Sequence, residues 1–149
     1  MLFRSLDEIE ILSNAGDINF DGISADYFYG DFNAGNIVAD NCTFRKFEID
    51  TDAGNIQIDD SDLKIVKIDT DAGNIQIKNT SLEDVEINTD FGNVEIKGID
   101  DIDAYDIECS VDAGIVNVDN SSFGNKYQNN GSGSGSIRID VDAGNIEIN

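Results

Sequence analysis

Apolar and polar residues alternate with period two in short runs along almost the whole chain, and no segment carries a helical spacing. The runs are in step with one another. They align on a glycine within a recurring Ala-Gly-Asn-Ile-like motif, at Gly16, Gly35, Gly54, Gly73, Gly92, Gly114 and Gly144, with spacings of 19, 19, 19, 19, 22 and 30 residues. Residues 49–58 and 68–77 are identical over ten positions. Seven before the glycine stand Ile9, Phe28, Phe47, Val66, Val85, Ile107 and Ile137; two after it stand Ile18, Ile37, Ile56, Ile75, Val94, Val116 and Ile146. Further apolar columns lie five before and four after it. A weaker pair lies seven and nine after, as in Cys42/Phe44, Ser61/Leu63, Thr80/Leu82 and Ser121/Phe123. β-Branched residues dominate these columns, which is the signature of strands.

Each unit therefore predicts three short strands separated by three corners. One corner is the Ala-Gly-Asn itself, where glycine supplies a positive φ at no steric cost. A second lies six after the glycine, at Gly22, Asn41, Asp60, Asn79, Gly98 and Asn120, all types that tolerate the left-handed region. The third is more variable, near Arg45-Lys46, Lys64-Ile65 and Glu83-Asp84. The expected fold is all-β: a right-handed, three-sided parallel β-helix (β-solenoid) of about seven coils of 19 residues, roughly 34 Å tall at the usual strand spacing. The competing arrangement treats each Gly-Asn as a two-residue hairpin turn in an antiparallel meander. That explains the dipeptide but not the constant period, whereas stacked coils place like residues above one another. The chain reads as one domain over 1–149, with 1–8 as a partial N-terminal cap and 120–136 as an insertion loop.

Charge changes the picture next. With 31 acidic and 9 basic residues the formal net charge is −22. Such a chain is repelled by nucleic-acid phosphates and anionic lipid surfaces, so neither nucleic-acid binding nor direct membrane insertion is expected. There is no His, which removes Ser-His-Asp and Cys-His nucleophile systems and imidazole metal sites. No stretch approaches the roughly 18 apolar residues of a membrane span, and no segment reads as a signal peptide. Cys42 and Cys109 fall about three and a half coils apart, too far for a disulfide, and are expected to be free and buried.

Acidic residues concentrate in two columns. Two before the glycine stand Asn14, Asn33, Asp52, Asp71, Asp90, Asp112 and Asp142; four before stand Leu12, Asp31, Asp50, Asp69, Asn88, Ser110 and Asp140. Stacked carboxylates repel, and Ca2+, which takes about six to eight oxygen ligands in irregular geometry, would offset this. The weak candidates for such a ladder are Asp50, Asp52, Asp69, Asp71 and Asp90. The alternative is that the Asp two before the glycine caps the corner backbone, which Asn14 and Asn33 could do equally well. Six before the glycine, Glu48, Lys67 and Glu86 alternate in sign, as cross-strand pairing favours. Thr51, Thr70 and Thr89 share a column with Phe32, Val111 and Val141 and are expected inside, which argues against an ice-binding threonine face.

Carboxylates are plentiful, yet nothing singles out an acid pair, so no catalytic residue is assigned and an enzyme acting on polysaccharides is the weakest reading. Two insertions break the repeat, around residues 100–106 and within 120–136, and are the better places to look for function. The Gly-Ser run at 131–136 reads as flexible linker.

The units DAGNIQI, DFGNVEI, NAGDINF and DAGNIEI resemble the adhesin-labelled bacterial family of glycine-centred β-strand repeats, over Ile9 to Ile148. The resemblance implies a right-handed β-helix on a cell-surface or envelope protein, with no catalytic residues to carry over. The expected function is then a non-enzymatic structural or adhesive domain that binds a protein, glycan or cationic peptide. The alternative is an envelope-stress sensor that binds cationic peptides or Ca2+ through its acidic face. The sequence ends in mid-pattern at Asn149, which predicts an uncapped C-terminal coil and either end-to-end association of copies or a piece cut from a longer protein.

Overall fold

The computed structural model describes residues 6–149. Of the expected cap at 1–8, residues 1–5 lie outside the described residues, and Leu6, Asp7 and Glu8 belong to the first strand. The fold is an all-β parallel solenoid. Long strands β1 (Leu6–Ser13), β3 (Ser24–Ala34), β5 (Thr43–Ala53), β7 (Asp62–Ala72) and β9 (Ser81–Phe91) alternate with short strands β2 (Ile18–Asp21), β4 (Ile37–Asp40), β6 (Ile56–Asp59), β8 (Ile75–Lys78) and β10 (Val94–Lys97). Successive long strands pair in parallel at an offset of 19, as in Phe47↔Val66 and Ile49↔Ile68, and short strands do the same. The antiparallel meander is therefore excluded for the repeats.

All three corners form where the pattern places them. Asn41, Asp60 and Asn79 have φ of 52°, 47° and 47°. The long strands bend at the third corner, where two exposed residues in succession, Lys64 and Ile65, interrupt the alternation. At the glycine corner the coils touch. A methyl group on Gly73 would overlap the carbonyl oxygen of Gly54, and the same holds for Gly35, Gly54, Gly92, Gly114 and Gly144 against the coil each stacks on, while Gly16 in the first coil has open space there. The column is thus confined to glycine by stacking as well as by φ.

Inside the rod, Ile, Val, Leu and Phe form one continuous core. Its N-terminal half is aromatic, with Phe28 and Phe47 stacked at 4.8 Å between ring centroids. Phe32 fits there because Gly30, in a column otherwise held by Ile or Cys, leaves room for its ring. Thr51, Thr70 and Thr89 are buried as expected, and their hydroxyls have no hydrogen-bond partner.

The order of the coils departs from the order of the sequence. The C-terminal strand β14 (Gly135–Ile148) does not close the rod. It lies between β9 and β11 (Tyr105–Val118), pairing Ile137 with both Val85 and Ile107. The sixth repeat is consequently the last coil in space, and the seventh is buried in the stack. The expected bare C-terminal coil, and end-to-end association through it, is corrected on this point: both edges of β14 are already paired, so they offer no free edge to another copy. Charge supports the order. In space, from the third coil on, the column six before the glycine reads Glu48, Lys67, Glu86, Arg138, Glu108, an alternation that the sequence order would break.

The outer face of the last coil is covered by the second insertion. β12 (Ser121–Ser122) and β13 (Lys126–Asn129) run antiparallel to β11. Asp119 and Asn120, with φ of 48° and 57°, make the two-residue turn of a hairpin. Ser121 and Phe123 therefore sit in this cover, exposed, rather than in a third side of the coil. The Gly-Ser run is ordered, not a flexible linker. Ser134 donates its N–H to the carbonyl of Ala104 (2.9 Å), and Gly131 and Gly135 lie against the backbones of Tyr105 and Glu83 where no side chain fits.

Two outcomes are expected. Ser136 is the register partner of Asp84, so Asp84→Cys with Ser136→Cys should oxidise to a disulfide, whereas Asp84→Cys with Asp106→Cys should not; non-reducing electrophoresis separates the two. Thr70→Val removes a buried unpaired hydroxyl at constant shape and should raise stability by about 1 kcal/mol in urea denaturation.

Candidate functional site

The two acidic columns lie on the outside of the rod. Asp31, Asp50, Asp69, Asn88 and Asp140 stack in register on an outward face. Asp52, Asp71 and Asp90 stand beside them, exposed. These carboxylates bond along the stack: Asn33 Nδ2 donates to Asp52 Oδ2 (3.0 Å), and Asn88 Nδ2 to Asp69 Oδ1 (2.8 Å). No group of three or more His, Cys, Asp or Glu side chains among the described residues is arranged to hold a metal ion.

The corner cap is a different residue. Asn36, Asn55, Asn74, Asn93 and Asn145, one after the glycine, each donate backbone N–H and Nδ2–H to the side-chain Oδ1 of the coil before. Asp17 starts this ladder as a pure acceptor, and Ile115 ends it by donating its N–H to Asn145 Oδ1 (3.1 Å). The expected capping by the Asp two before the glycine is thus corrected: that side chain projects outward, while the Asn amide lies along the rod axis. The ladder was readable, because Ile115 is the one repeat position where an acceptor is missing, which marks the coil with nothing stacked beyond it.

Both insertions converge at the covered end. A short 3-10 turn, Ile102–Ala104, leads into β11, and Tyr105 donates its hydroxyl to the carbonyl of Leu82 (2.8 Å) to pin the first insertion to the rod. Two clefts of about 390 and 520 Å3 flank this segment and share Ile99, Asp100 and Asp101. The smaller is lined by Asp100, Asp101 and Asp103 of the first insertion and by Asp119, Phe123 and Tyr127 of the hairpin that follows β11, and no Lys or Arg lines it. The two rings are in contact, 4.5 Å between centroids. Burial, then the charges of Asp103, Cys109 and Asp119, push the Tyr127 hydroxyl up, so it stays protonated beside the carboxylates.

A groove of about 510 Å3 runs along the flank beside β13. Its lining mixes Lys46, Lys67 and Arg138 with Asp84, Glu86, Asp106 and Glu108, and Arg138 Nε lies 3.3 Å from Glu108. Lower on the same face Lys46 bonds Glu48 (2.8 Å) and holds its carboxyl below the usual range. The thiols carry no chemistry. Both are free and buried, and burial pushes Cys109 up to about 12.

A family model described as Toastrack DUF4097 matches residues 4–149. The chain belongs to that family. It is a β-solenoid-type domain of unknown function, in agreement with the coils described above. The match corrects the resemblance to the adhesin-labelled repeats: a glycine followed in most coils by Asn and then by Ile or Val, with Asp17 and Ile115 as the end variants, is what stacked coils require, so the motif reports architecture rather than that family. The Toastrack DUF4097 family is not a known enzyme family. No curated protein and no solved structure matches the chain. Among the described residues no helix is long and apolar enough to cross a membrane.

One consequence concerns the acidic face. Burial and the neighbouring Asp31, Asp69, Asp52 and Asp71 raise the Asp50 carboxyl above its ordinary value. A raised carboxyl favours the folded state only while protonated, so its repulsion costs stability as pH rises from the unfolded value through the folded one. Asp50→Asn should therefore stabilise the protein at pH 7 and low salt, by at most about 1 kcal/mol after solvent screening, and have no such effect at pH 3. Thermal melts at the two pH values check this.

Proposed function

We propose that this Toastrack DUF4097 domain is a non-enzymatic binding module. The solenoid is a stiff scaffold, and the cleft between the two insertions receives a cationic side chain of a protein or peptide partner. The observation that carries this reading is the convergence of two insertions, on either side of β11 in sequence, on one cleft that joins four carboxylates to an aromatic pair. Carboxylates attract an ammonium or guanidinium group from solution, and a ring face holds it once partly desolvated. The flank groove supports a cationic partner less well, because Lys46, Lys67 and Arg138 stand among its carboxylates.

We further propose that the domain serves at a cell surface or envelope. The two free thiols, buried and on separate coils, would leave such a rod indifferent to the redox state of its surroundings.

The test is titration of a fluorescent Lys-rich decapeptide by anisotropy. Binding should weaken steeply between 50 and 200 mM salt, and Asp103→Asn with Asp119→Asn should cost about tenfold. Asp50→Asn, on the outward face, should change little. Equal losses from both sets of substitutions would mean that net charge alone attracts the peptide, and would overturn the cleft.

A further inference from the structure

The two ends of the rod differ. One is covered by β12 and β13; at the other, among the described residues, β1 pairs only with β3 and β2 only with β4. The core columns are left half covered there. Leu6 is 53% exposed, although its counterparts Phe44 and Leu63 are buried, and Ile9, Ile11 and Ile18 are only partly buried where inner coils are sealed. Leu12 adds an exposed apolar side chain beside them. This end is also one-sided in charge: residues 6–44 contain eight acidic residues and no Lys or Arg.

We propose that the open edge of β1 is a strand-addition site for an extended partner segment in which apolar and basic residues alternate. An unpaired edge offers its N–H and C=O groups to an incoming strand, and alternate side chains of that strand fall on opposite faces. Its inward residues would cover Ile9 and Ile11, which alternate with Glu8 and Glu10, while Leu6 lies across the third corner beyond Asp7 and Glu8. Its outward residues would lie beside Glu8 and Glu10, both exposed. In the same outward column Glu48, Lys67, Glu86, Arg138 and Glu108 alternate in sign from coil to coil, before Tyr29 intervenes ahead of Glu10. A basic residue beyond Glu10 would face its carboxylate as Lys67 and Arg138 face theirs. A second copy does not fit this edge, because two open ends facing each other would set Glu8, Glu10, Asp17 and Asp21 against their own kind.

The experiment uses the full chain and a fluorescein-labelled nonapeptide of alternating Val and Lys, read by anisotropy. Binding should exceed by at least tenfold that of a peptide of the same composition with its Val and Lys in separate blocks, and of an alternating Val/Glu peptide. Glu8→Lys with Glu10→Lys changes two exposed positions; with the fold verified by circular dichroism, it should reverse the preference between the Lys and Glu peptides. Hydrogen exchange should slow at the β1 amides and not at β13. Asp103→Asn with Asp119→Asn should leave this binding unchanged, which keeps the result separate from the cleft proposed above. Equal binding of alternating and blocked peptides, preference unmoved by charge reversal, protection at β13, or dimerisation through β1 in sedimentation would each overturn the proposal.

Discussion

The close approach of successive coils at the glycine corner is the constraint on which the rest of the molecule depends. At a strand spacing of about 4.8 Å, the carbonyl of one corner occupies the space where the next corner's Cβ would stand. Only glycine survives there. The corner amides turned along the axis still need partners, and the Asn that follows the glycine supplies them. An amide side chain both donates and accepts, so it propagates from coil to coil. A carboxylate can only accept and an aliphatic side chain can do neither. Asp17 at the start and Ile115 at the finish give the ladder a direction and a length.

That ladder also explains how the C-terminal repeat can lie inside the stack. Gly144 packs on Gly92, Gly114 packs on Gly144, and Asn145 bridges Asn93 to Ile115. Setting β14 between β9 and β11 brings Arg138 between two glutamates and leaves the coil with no acceptor on the outside. The longer connections make this arrangement reachable: the chain leaves the fifth coil through the 3-10 turn, builds the last coil, covers it with a hairpin, and returns to fill the vacant level. The result is a rod with one end closed by its own insertion and one end bearing half-covered core residues.

The fold was legible because a repeat of fixed length makes neighbours knowable. Column membership told which residues face inward, including three threonines that hydropathy alone would have left outside, and it located all three corners. Misreadings arose where a residue's direction, rather than its column, decided its role. The Asp two before the glycine and the Asn one after it are equally able to cap a corner on paper; only their orientation to the axis distinguishes them. The Gly-Ser run at 131–136 looks flexible by composition, yet its small residues are there because backbones pack against them. The candidate cleft was legible only as two interruptions of the repeat, since residues 100–103 and 119–127 meet through the fold and share no pattern.

The sequence by itself determined the coil: its period, its inward columns and its corner residues, all local consequences of alternation and of glycine and asparagine chemistry repeated at a set interval. The tertiary structure decided the order of the last two coils, the ordering of the second insertion and the meeting of the two insertions. Coils of near-identical sequence present near-identical edges, so strand pairing alone is almost indifferent to which coil stacks on which. The choice falls to a few non-repeating groups, Ile115, Arg138 and the glycines at 131 and 135, whose partners exist only once the whole rod is assembled.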